Sequence, residues 1–405
     1  MNETVLIHFS GKSQPGLTAA LTAVLAEYSA CVLDIGQAAV HETVVLGLLI
    51  EIPPENLARL QDALTARSSE LGLQVSFTPI AKTELEHWIR SQGKDRYIIT
   101  VLGRAISASH LAKVSAIIAE HGLNVDRIER LSGRLSLAVH TSTSNACVEL
   151  RASGTAISEG AMRAEFLATA HDMRIDIAFQ RESIFRRNRR LFAFDMDSTL
   201  IQGEVIDELA RMAGVADKVV AITESAMRGE IEFQESFRRR VGLLKGLREE
   251  KMRELLGTIP LVEGAEQLIG TLKMLGYKTA ILSGGFTFFA RHLQERLGID
   301  YVYANELDIV DGVVTGEVKT EIVDGARKAA LLREIAAQEN ISLEQVVAVG
   351  DGANDLPMLG IAGMGIAFRA KPIVRQTAGH AVSFLGLDSL LYLVGVRERD
   401  LSASR

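Results

Sequence analysis

The sequence has few cysteines and no long apolar run, and these absences exclude several classes of protein. Among its 405 residues there are only two cysteines, Cys31 and Cys147, too few for a disulfide framework and in no metal-binding spacing. We expect both to be small buried residues in a reducing compartment. No apolar stretch reaches the ~18 residues of a membrane-spanning helix, and the first ten residues do not resemble a signal peptide. We therefore expect a cytoplasmic protein without membrane segments.

An excess of positive charge is also lacking. The net charge is −7 and the isoelectric point about 5.8, which argues against a general nucleic-acid or anionic-membrane binder. The one basic run, RRNRR at 186–190, is interpreted as a solvated linker. With 47% apolar and 23% charged residues, the chain has the composition of a soluble globular protein, and its length suggests two to three domains.

Residues 1–81 and 96–181 show the same order of predicted elements. In each, apolar alternation and helical spacing predict β-α-β-β-α-β, the order of ferredoxin-like folds. In the second copy, SLAVHT at 136–141 and ACVELRA at 146–152 are both strand candidates. The charged segment 82–95, which contains the only tryptophan, is predicted to be a connector.

Two such units before a further domain resemble paired ACT domains, the small-molecule sensing modules of amino-acid enzymes. The turn Ser13–Gly16 lies where ACT domains often carry a ligand loop, so Gly16 is a candidate effector-loop residue for serine or another amino acid. The second copy has no matching glycine at 104–107. As an alternative, the units serve only as dimerisation sheets. Because unpaired sheet edges invite symmetric pairing, we expect a homodimer.

Residues 182–396 have a different character. Apolar strands alternate with helices from 278 onward, which predicts a doubly wound parallel sheet covered by helices on both faces. The segment 203–258 is mostly helical and interrupts this pattern as a cap, and residues 397–405 form a tail. The expected fold is therefore α/β, a parallel-sheet domain with a helical cap, preceded by the two ferredoxin-like domains.

Acidic residues follow the first apolar strand of this domain. In FDMDST, Asp195 and Asp197 stand at a strand end, where open α/β sheets bind ligands. Two carboxylates so close together are costly without a cation, and oxygen ligands favour Mg²⁺. Such a pair alone is a weak signal, since acidic pairs are common on surfaces.

Further polar residues follow later strands in order. Ser283 and Gly284 come after KTAIL and suit a phosphate contact, Lys328 offers a positive charge, and VVAV is followed by GDGAND. That last motif adds Asp351, Asn354 and Asp355 at a third strand end. Their joint occurrence in this order favours a catalytic site over polar surface residues without a function.

The ordered motifs DMDST, SGG, lysine and GDGAND resemble those of the haloacid dehalogenase-like phosphatases. The resemblance implies that Asp195 is the nucleophile and Asp197 the general acid and base, while Ser283 and Lys328 bind the phosphoryl oxygens. It also implies that Mg²⁺ is held by Asp195, by the backbone carbonyl of Asp197 and by Asp351, with Asp355 supporting the metal ligands.

The cap is similar to that of the phosphoserine phosphatases in particular. That similarity implies that Glu204 meets a substrate ammonium and Arg240 its carboxylate, while Met227 and Phe233 form the pocket wall and Asn354 contacts phosphate or substrate. The implied reaction is Mg²⁺-dependent hydrolysis of O-phospho-L-serine. The alternatives are a related small-metabolite phosphatase or phosphotransferase on the same scaffold, and a non-catalytic amino-acid sensor.

Overall fold

The structure, a computed structural model, describes residues 2–90, 93–133 and 145–402, apart from the side chains of Met227 and Ser402. The chain forms two compact units, Met1–Lys94 and Asp95–Arg405. Each is described here by itself. No helix of the described residues is long and apolar enough to cross a membrane.

The first unit contains an antiparallel four-stranded sheet in the order β2-β3-β1-β4, as expected for a ferredoxin-like fold. Alternate residues of its two central strands are buried against the apolar faces of α1 and α2. The strands therefore show apolar residues at every second position, and the helices show them at helical spacing. The elements are β1 Glu3–Lys12, α1 Leu17–Glu27, β2 Cys31–Val40, β3 Thr43–Ile52, α2 Pro54–Glu70, β4 Leu73–Ile80 and α3 Lys82–Arg90.

Two details of this unit differ from the sequence-based expectation. The predicted connector begins with a helix, α3, because Glu84 accepts the free N–H of Ala81 and Arg90 pairs with Glu86 one turn earlier. Cys31 is exposed rather than buried, because it opens β2, an edge strand with every residue exposed within this chain. Cys147 is buried as expected.

The second unit begins with another antiparallel sheet, in the order β6-β7-β5-β8. It repeats the β-α-β-β-α-β order of the first unit, and its two helices pack on one apolar core with the sheet. The strand candidate at 136–141 lies outside the described residues. The elements are β5 Arg96–Gly103, α4 Ala108–Glu120, β6 Asn124–Arg130, β7 Ala146–Ser153, α5 Glu159–Met173 and β8 Asp176–Arg181.

A six-stranded parallel sheet in the order β11-β10-β9-β14-β15-β16 follows. Its central strands are apolar along their whole length because helices cover both faces. The strands are β9 Leu191–Phe194, β10 Lys278–Phe286, β11 Tyr301–Asn305, β14 Val346–Gly350, β15 Met364–Phe368 and β16 His380–Val382, with a separate hairpin of β12 Leu307–Val310 and β13 Val313–Val318.

The helices of this region fall into a cap and a covering layer. The cap predicted for 203–258 consists of four helices joined by short turns, α6 Val205–Met212, α7 Ala216–Met227, α8 Phe233–Leu243 and α9 Glu249–Leu256. The remaining helices are α10 Ala265–Met274, α11 Thr287–Leu297, α12 Gly325–Gln338, α13 Leu356–Ile361, α14 Pro372–Thr377, α15 Leu390–Leu393 and α16 Glu398–Ser402.

The basic run at 186–190 is only in part the solvated linker that we expected, because Arg187, Asn188 and Arg190 are exposed but Arg186 and Arg189 are buried. Arg186 is buried and its guanidinium binds Glu149 of β7 at 2.5 Å, while buried Arg189 donates to the carbonyl oxygens of Glu344 and Gly363. A buried charge is tolerated only with partners. Arg186, which also donates to the carbonyl oxygen of Leu393 at 3.3 Å, connects β7 of the antiparallel sheet to the parallel-sheet region, in which both partners of Arg189 lie.

Candidate active site

The carboxyl ends of three adjacent parallel strands bring the predicted motifs together. β9 lies between β10 and β14, and Asp195 directly follows β9, with its N–H donating to the carbonyl of Val349 in β14 at 2.9 Å. Ser283 lies at the end of β10 and Asp351 follows β14. The motifs scattered over 160 residues of sequence therefore meet at one sheet edge, as ligand sites of open α/β sheets do.

Lys328 is completely buried and bridges two carboxylates. Its Nζ atom donates to Oδ1 of Asp195 and to Oδ1 of Asp355, both at 2.7 Å. Burial alone would lower the pKa of Lys328, but the two carboxylates raise it above its usual value. The lysine therefore stays charged, orients Asp195, and supplies a positive charge where an incoming phosphoryl group needs one.

Asp197 lies in an environment that favours its protonated form. Burial, together with the charge of Glu204, raises the pKa of Asp197 to about 8, against the hydrogen bond that Oδ1 accepts from the N–H of Val205 at 2.9 Å. The side chain thus holds a proton at neutral pH. A carboxylic acid of this kind can protonate a leaving oxygen and later accept a proton from water.

The acidic cluster fits a hard divalent cation. Carboxylate oxygens of Asp195, Asp351 and Asp355 lie within 4.8 Å of one another. Burial and the neighbouring carboxylates Asp355 and Glu204 raise the pKa of Asp351 to about 7, which is the cost of crowding like charges without a cation. An all-oxygen donor set of this kind is suited to Mg²⁺.

Asp355 differs from the other two carboxylates because its oxygens already have partners. Oδ1 accepts from Lys328, and Oδ2 accepts the N–H groups of Asp351 and Gly352 at 3.1 and 2.9 Å. Asp355 is thus placed to hold Lys328 and Asp351 in position. Asp195 and Asp351 each accept a side-chain hydrogen bond through Oδ1 only, and among the described residues their Oδ2 atoms have no partner, which leaves these oxygens for a metal ion.

The SGG segment, which lies in the last part of β10, approaches Asp197 closely. Ser283 is fully buried and its hydroxyl accepts the N–H of Gly285 at 2.9 Å. A Cβ atom at Gly285 would collide with Oδ2 of Asp197, so only glycine fits there. At Gly284 a Cβ atom would lie 3.5 Å from Cζ of Phe233 and 4.0 Å from Nδ2 of Asn354, which places both residues beside the turn.

Sequence reasoning missed two residues that position the site. Fully buried Asn305 donates to the carbonyl of Gly284 at 2.8 Å and accepts the N–H of Val323 at 2.8 Å, tying the SGG turn to the segment before Lys328. The hydroxyl of Thr199 donates to Asp351 at 3.2 Å. A polar residue ending the apolar strand YVYAN was the available signal for Asn305.

A cavity of about 900 Å³ lies between the sheet edge and the cap. It has the size of a small-molecule site, and it brings together most of the predicted residues. Ser283, Lys328 and Asp355 lie buried beneath it, and Met227 ends α7 without a described side chain. The predicted residues that line it are Asp195, Asp197, Glu204, Phe233, Arg240, Gly284, Asp351 and Asn354.

Arg240 is a cation in this cavity, and it has no ionic partner among the residues that the structure describes. Its Nε atom is buried and makes no hydrogen bond with the described residues. Burial lowers the pKa of Arg240, while Glu204, Asp207 and Asp197 act against that shift, and arginine stays charged at neutral pH. Because a buried unpaired donor is costly, Arg240 is poised for an anionic ligand group. Glu204, which accepts a hydrogen bond from Ser198 at 3.2 Å, offers the opposite charge.

The candidate effector loop belongs to the first unit. Gly16 has φ +83°, and no atom lies within 4 Å of where its Cβ would be, so the loop has open space beside the backbone. Its role in ligand binding stays a prediction. In the second copy, the guanidinium of Arg104 in the corresponding loop binds Glu263 at 2.6 Å and Asn145 at 3.1 Å. This side chain is therefore already engaged in contacts within the chain.

Comparisons with known families and proteins agree with this architecture. ACT domain models match residues 3–78 and 96–180, and a haloacid dehalogenase-like hydrolase model matches residues 192–360. A phosphoserine phosphatase of Streptomyces coelicolor is 41% identical, over 99% of this chain and 94% of that protein. A phosphoserine phosphatase of Mycobacterium tuberculosis is 38% identical, over 99% and 95%.

Solved structures show the same fold over most of the chain. A HAD family hydrolase from Salmonella enterica serovar Typhi is 31% identical with a TM-score of 0.63, covering 74% of this chain and 98% of that one. A probable phosphoserine phosphatase from Vibrio cholerae is 31% identical with a TM-score of 0.59, covering 78% and 90%. The chain therefore belongs to the phosphoserine phosphatase family of haloacid dehalogenase-like hydrolases, with two ACT domains before its hydrolase domain.

Proposed function

We propose that this chain hydrolyses O-phospho-L-serine to L-serine and phosphate through a phosphorylated Asp195, with Mg²⁺ as its resident ion, as the last step of serine biosynthesis in the cytoplasm. The observation that carries the proposal is one cavity lined by Arg240 and Glu204, with Lys328 buried beneath it beside Asp195. An amino-acid phosphoester has a carboxylate, an ammonium and a phosphate, and Arg240, Glu204 and Lys328 supply the opposite charge to each.

In the first half-reaction, a carboxylate oxygen of Asp195 attacks phosphorus and the bond to the seryl oxygen breaks. Lys328 holds Asp195 in position, and its charge offsets the repulsion between carboxylate and phosphate dianion. Protonated Asp197 gives its proton to the seryl oxygen, which would otherwise leave as a poor alkoxide. The products are serine and an aspartyl-phosphate.

In the second half-reaction, the ionised Asp197 takes a proton from the water that attacks phosphorus, and Asp195 is released. One residue thus serves both half-reactions, which a pKa near neutrality allows. When bound to Asp195, Asp351 and the carbonyl oxygen of Asp197, Mg²⁺ would neutralise negative charge on the phosphoryl oxygens. Ser283 and the N–H groups of the SGG turn lie where they can bind the remaining oxygens.

The proposal predicts a pH dependence that differs between substrates. Asp197 carries its proton below about pH 8 and loses it above, so kcat/KM for phosphoserine should fall as the pH rises through this value. With p-nitrophenyl phosphate, whose leaving group departs without a proton, the fall should be much smaller. The measurement is kcat/KM from pH 6 to 10 for both substrates. Equal alkaline losses would assign the titration to another group.

The direct test of substrate is phosphate release from a matched panel, with EDTA and then with added Mg²⁺. Phosphoserine should be cleaved best, while phosphoethanolamine, which lacks the carboxylate, and phosphoglycolate, which lacks the ammonium, should each be poor substrates. Activity in EDTA equal to that in Mg²⁺ would contradict the metal assignment. A preference for another ester, phosphate release only with an added acceptor, or no release at all would favour the alternative functions.

We also propose that the protein is a homodimer formed through the first unit. Strand β2 is a sheet edge with large apolar side chains exposed within this chain, among them Val32, Ile35 and Val40. An edge of this kind favours pairing with a second copy. Ile35→Lys should shift the protein toward monomer in light scattering, whereas Ile157→Lys, at an even more exposed isoleucine of the other unit, should not. A dimer unaffected by Ile35→Lys would place the interface elsewhere.

A further inference from the structure

A second cavity lies within the second unit, between the ACT helix α5 and the last part of the parallel-sheet domain. Its volume is about 590 Å³, within the range of small-molecule sites. It is formed by α5 and β8 on one side and by the segment 372–384 on the other. It includes neither the Arg104 loop nor any residue of the active-site cavity.

Two arginines line this cavity from opposite sides, Arg163 of α5 and Arg375 of α14. Among the described residues neither forms an ion pair; the carboxylate of Glu159, one turn before Arg163 on α5, feels the charge of Arg163 but is bonded to Arg181 at 2.5 Å. Arg163 stands over the ring of Phe179, and a Cβ atom at Gly379 would lie 3.7 Å from its Nη1 atom, so it reaches across to the hydrolase side. Unpaired cations facing one space favour an anion.

A polar atom without a partner adds to this picture. His380 lines the cavity, and its Nδ1 atom is buried and makes no hydrogen bond with the described residues. Burial first, and then the charges of Arg163 and Arg189, lower the pKa of His380 to about 3. The imidazole is therefore neutral. This ring nitrogen has no partner in the described part of the chain, and a polar group of a ligand in the cavity would supply one.

The other lining groups set the character of the ligand. The one carboxylate, Asp176, already accepts the N–H groups of Ser383 and Phe384 at 2.6 and 3.0 Å, so it is not free to pair with the arginines. Exposed His171 also lines the space. Most of the remaining walls are apolar, including Leu167, Phe179 and Phe384. A ligand needs a negative group for one part of the cavity and a hydrocarbon body for the other.

We propose that this cavity binds a small carboxylate with an apolar body, held by Arg163 and Arg375. The site also has a structural link to the active site through α14. Pro372 and Arg375 line the second cavity, while Lys371 and Ile373, next to them in sequence, line the active-site cavity. Occupation of one cavity is thus expected to shift the residues that border the other.

Calorimetry on the full chain, with 3-phenylpropionate as the probe, tests the proposal. We expect saturable binding whose Kd rises about tenfold in Arg163→Gln and in Arg375→Gln, because each loses a charge-assisted contact. Lys113→Gln, at an exposed lysine of α4, is the charge-matched control and should bind as the parent does. Ala164→Trp, which fills the space and keeps both arginines, should also weaken binding.

Further arms separate this site from the active site. Binding should persist in Arg240→Ala, whatever the fate of the phosphatase proposal, and 3-phenylpropylamine should not bind. Saturating probe should change KM for a cleaved phosphomonoester by about fivefold or more, a typical coupling between linked sites. No saturable binding, equal binding of the amine, or binding unchanged in both arginine variants would overturn the site. An unchanged KM would overturn the link through α14.

Discussion

Asp195→Asn should abolish turnover of phosphoserine, with a loss of about 10⁴-fold or more, because the amide cannot act as the nucleophile. The variant should fold normally, since it keeps the shape of the side chain and leaves Lys328 paired with Asp355 at 2.7 Å. Steady-state phosphate release and thermal unfolding measure the two effects separately. Asp62→Asn, at an exposed aspartate of the first unit, is the matched control and should keep full activity.

A folded Asp195→Asn protein that turned over near the parent rate would remove the nucleophile from the mechanism. This outcome can be interpreted because the variant should fold. Asparagine has nearly the shape of aspartate, and the change removes a negative charge that is close to Asp355 and Asp351. Relief of like-charge crowding gives no reason for the protein to unfold.

Arg240→Ala should damage recognition of the amino acid far more than chemistry at phosphorus. Removing one member of a buried charge pair costs about 2–5 kcal/mol, so kcat/KM for phosphoserine should fall by about 30-fold to several thousand-fold. Phosphoethanolamine has no carboxylate to lose, and its kcat/KM should change little. The comparison of the two substrates in one variant separates specificity from misfolding.

The neighbouring Arg239→Ala serves as the control for this change. Arg239 is exposed and pairs with Glu235 on the surface of α8, so its loss should leave both substrates nearly unaffected. An equal loss on both substrates in Arg240→Ala would show that Arg240 acts on the phosphate or holds the cap.

The site residues that could be predicted from sequence are those located at the carboxyl ends of the parallel strands. Asp195 and Asp351 each follow an apolar strand and the SGG segment lies in the last part of another, and parallel strands of one sheet put their carboxyl ends at one edge. The same logic gave both β-α-β-β-α-β units, because alternation and helical spacing are local properties. Neither inference needs knowledge of contacts between distant segments.

The features that escaped prediction depend on such distant contacts. Arg186 looks solvated in sequence and becomes buried only because Glu149, 37 residues earlier, lies opposite it. Asn305 looks like an ordinary strand end, yet it ties together the turns at Gly284 and Val323. Cys31 is apolar enough for a core, but the order of the sheet puts its strand at the edge. Pairing partners of this kind are set by tertiary structure.

The most direct test of the central claim is to identify where the phosphoryl group is carried. The protein is mixed with Mg²⁺ and phosphoserine labelled in its phosphate, quenched in acid within milliseconds, and digested for peptide mapping. The account predicts label on the peptide that contains Asp195, and no label in Asp195→Asn. Label on another residue, or rapid phosphate release by the parent with no labelled protein at any quench time, would contradict it.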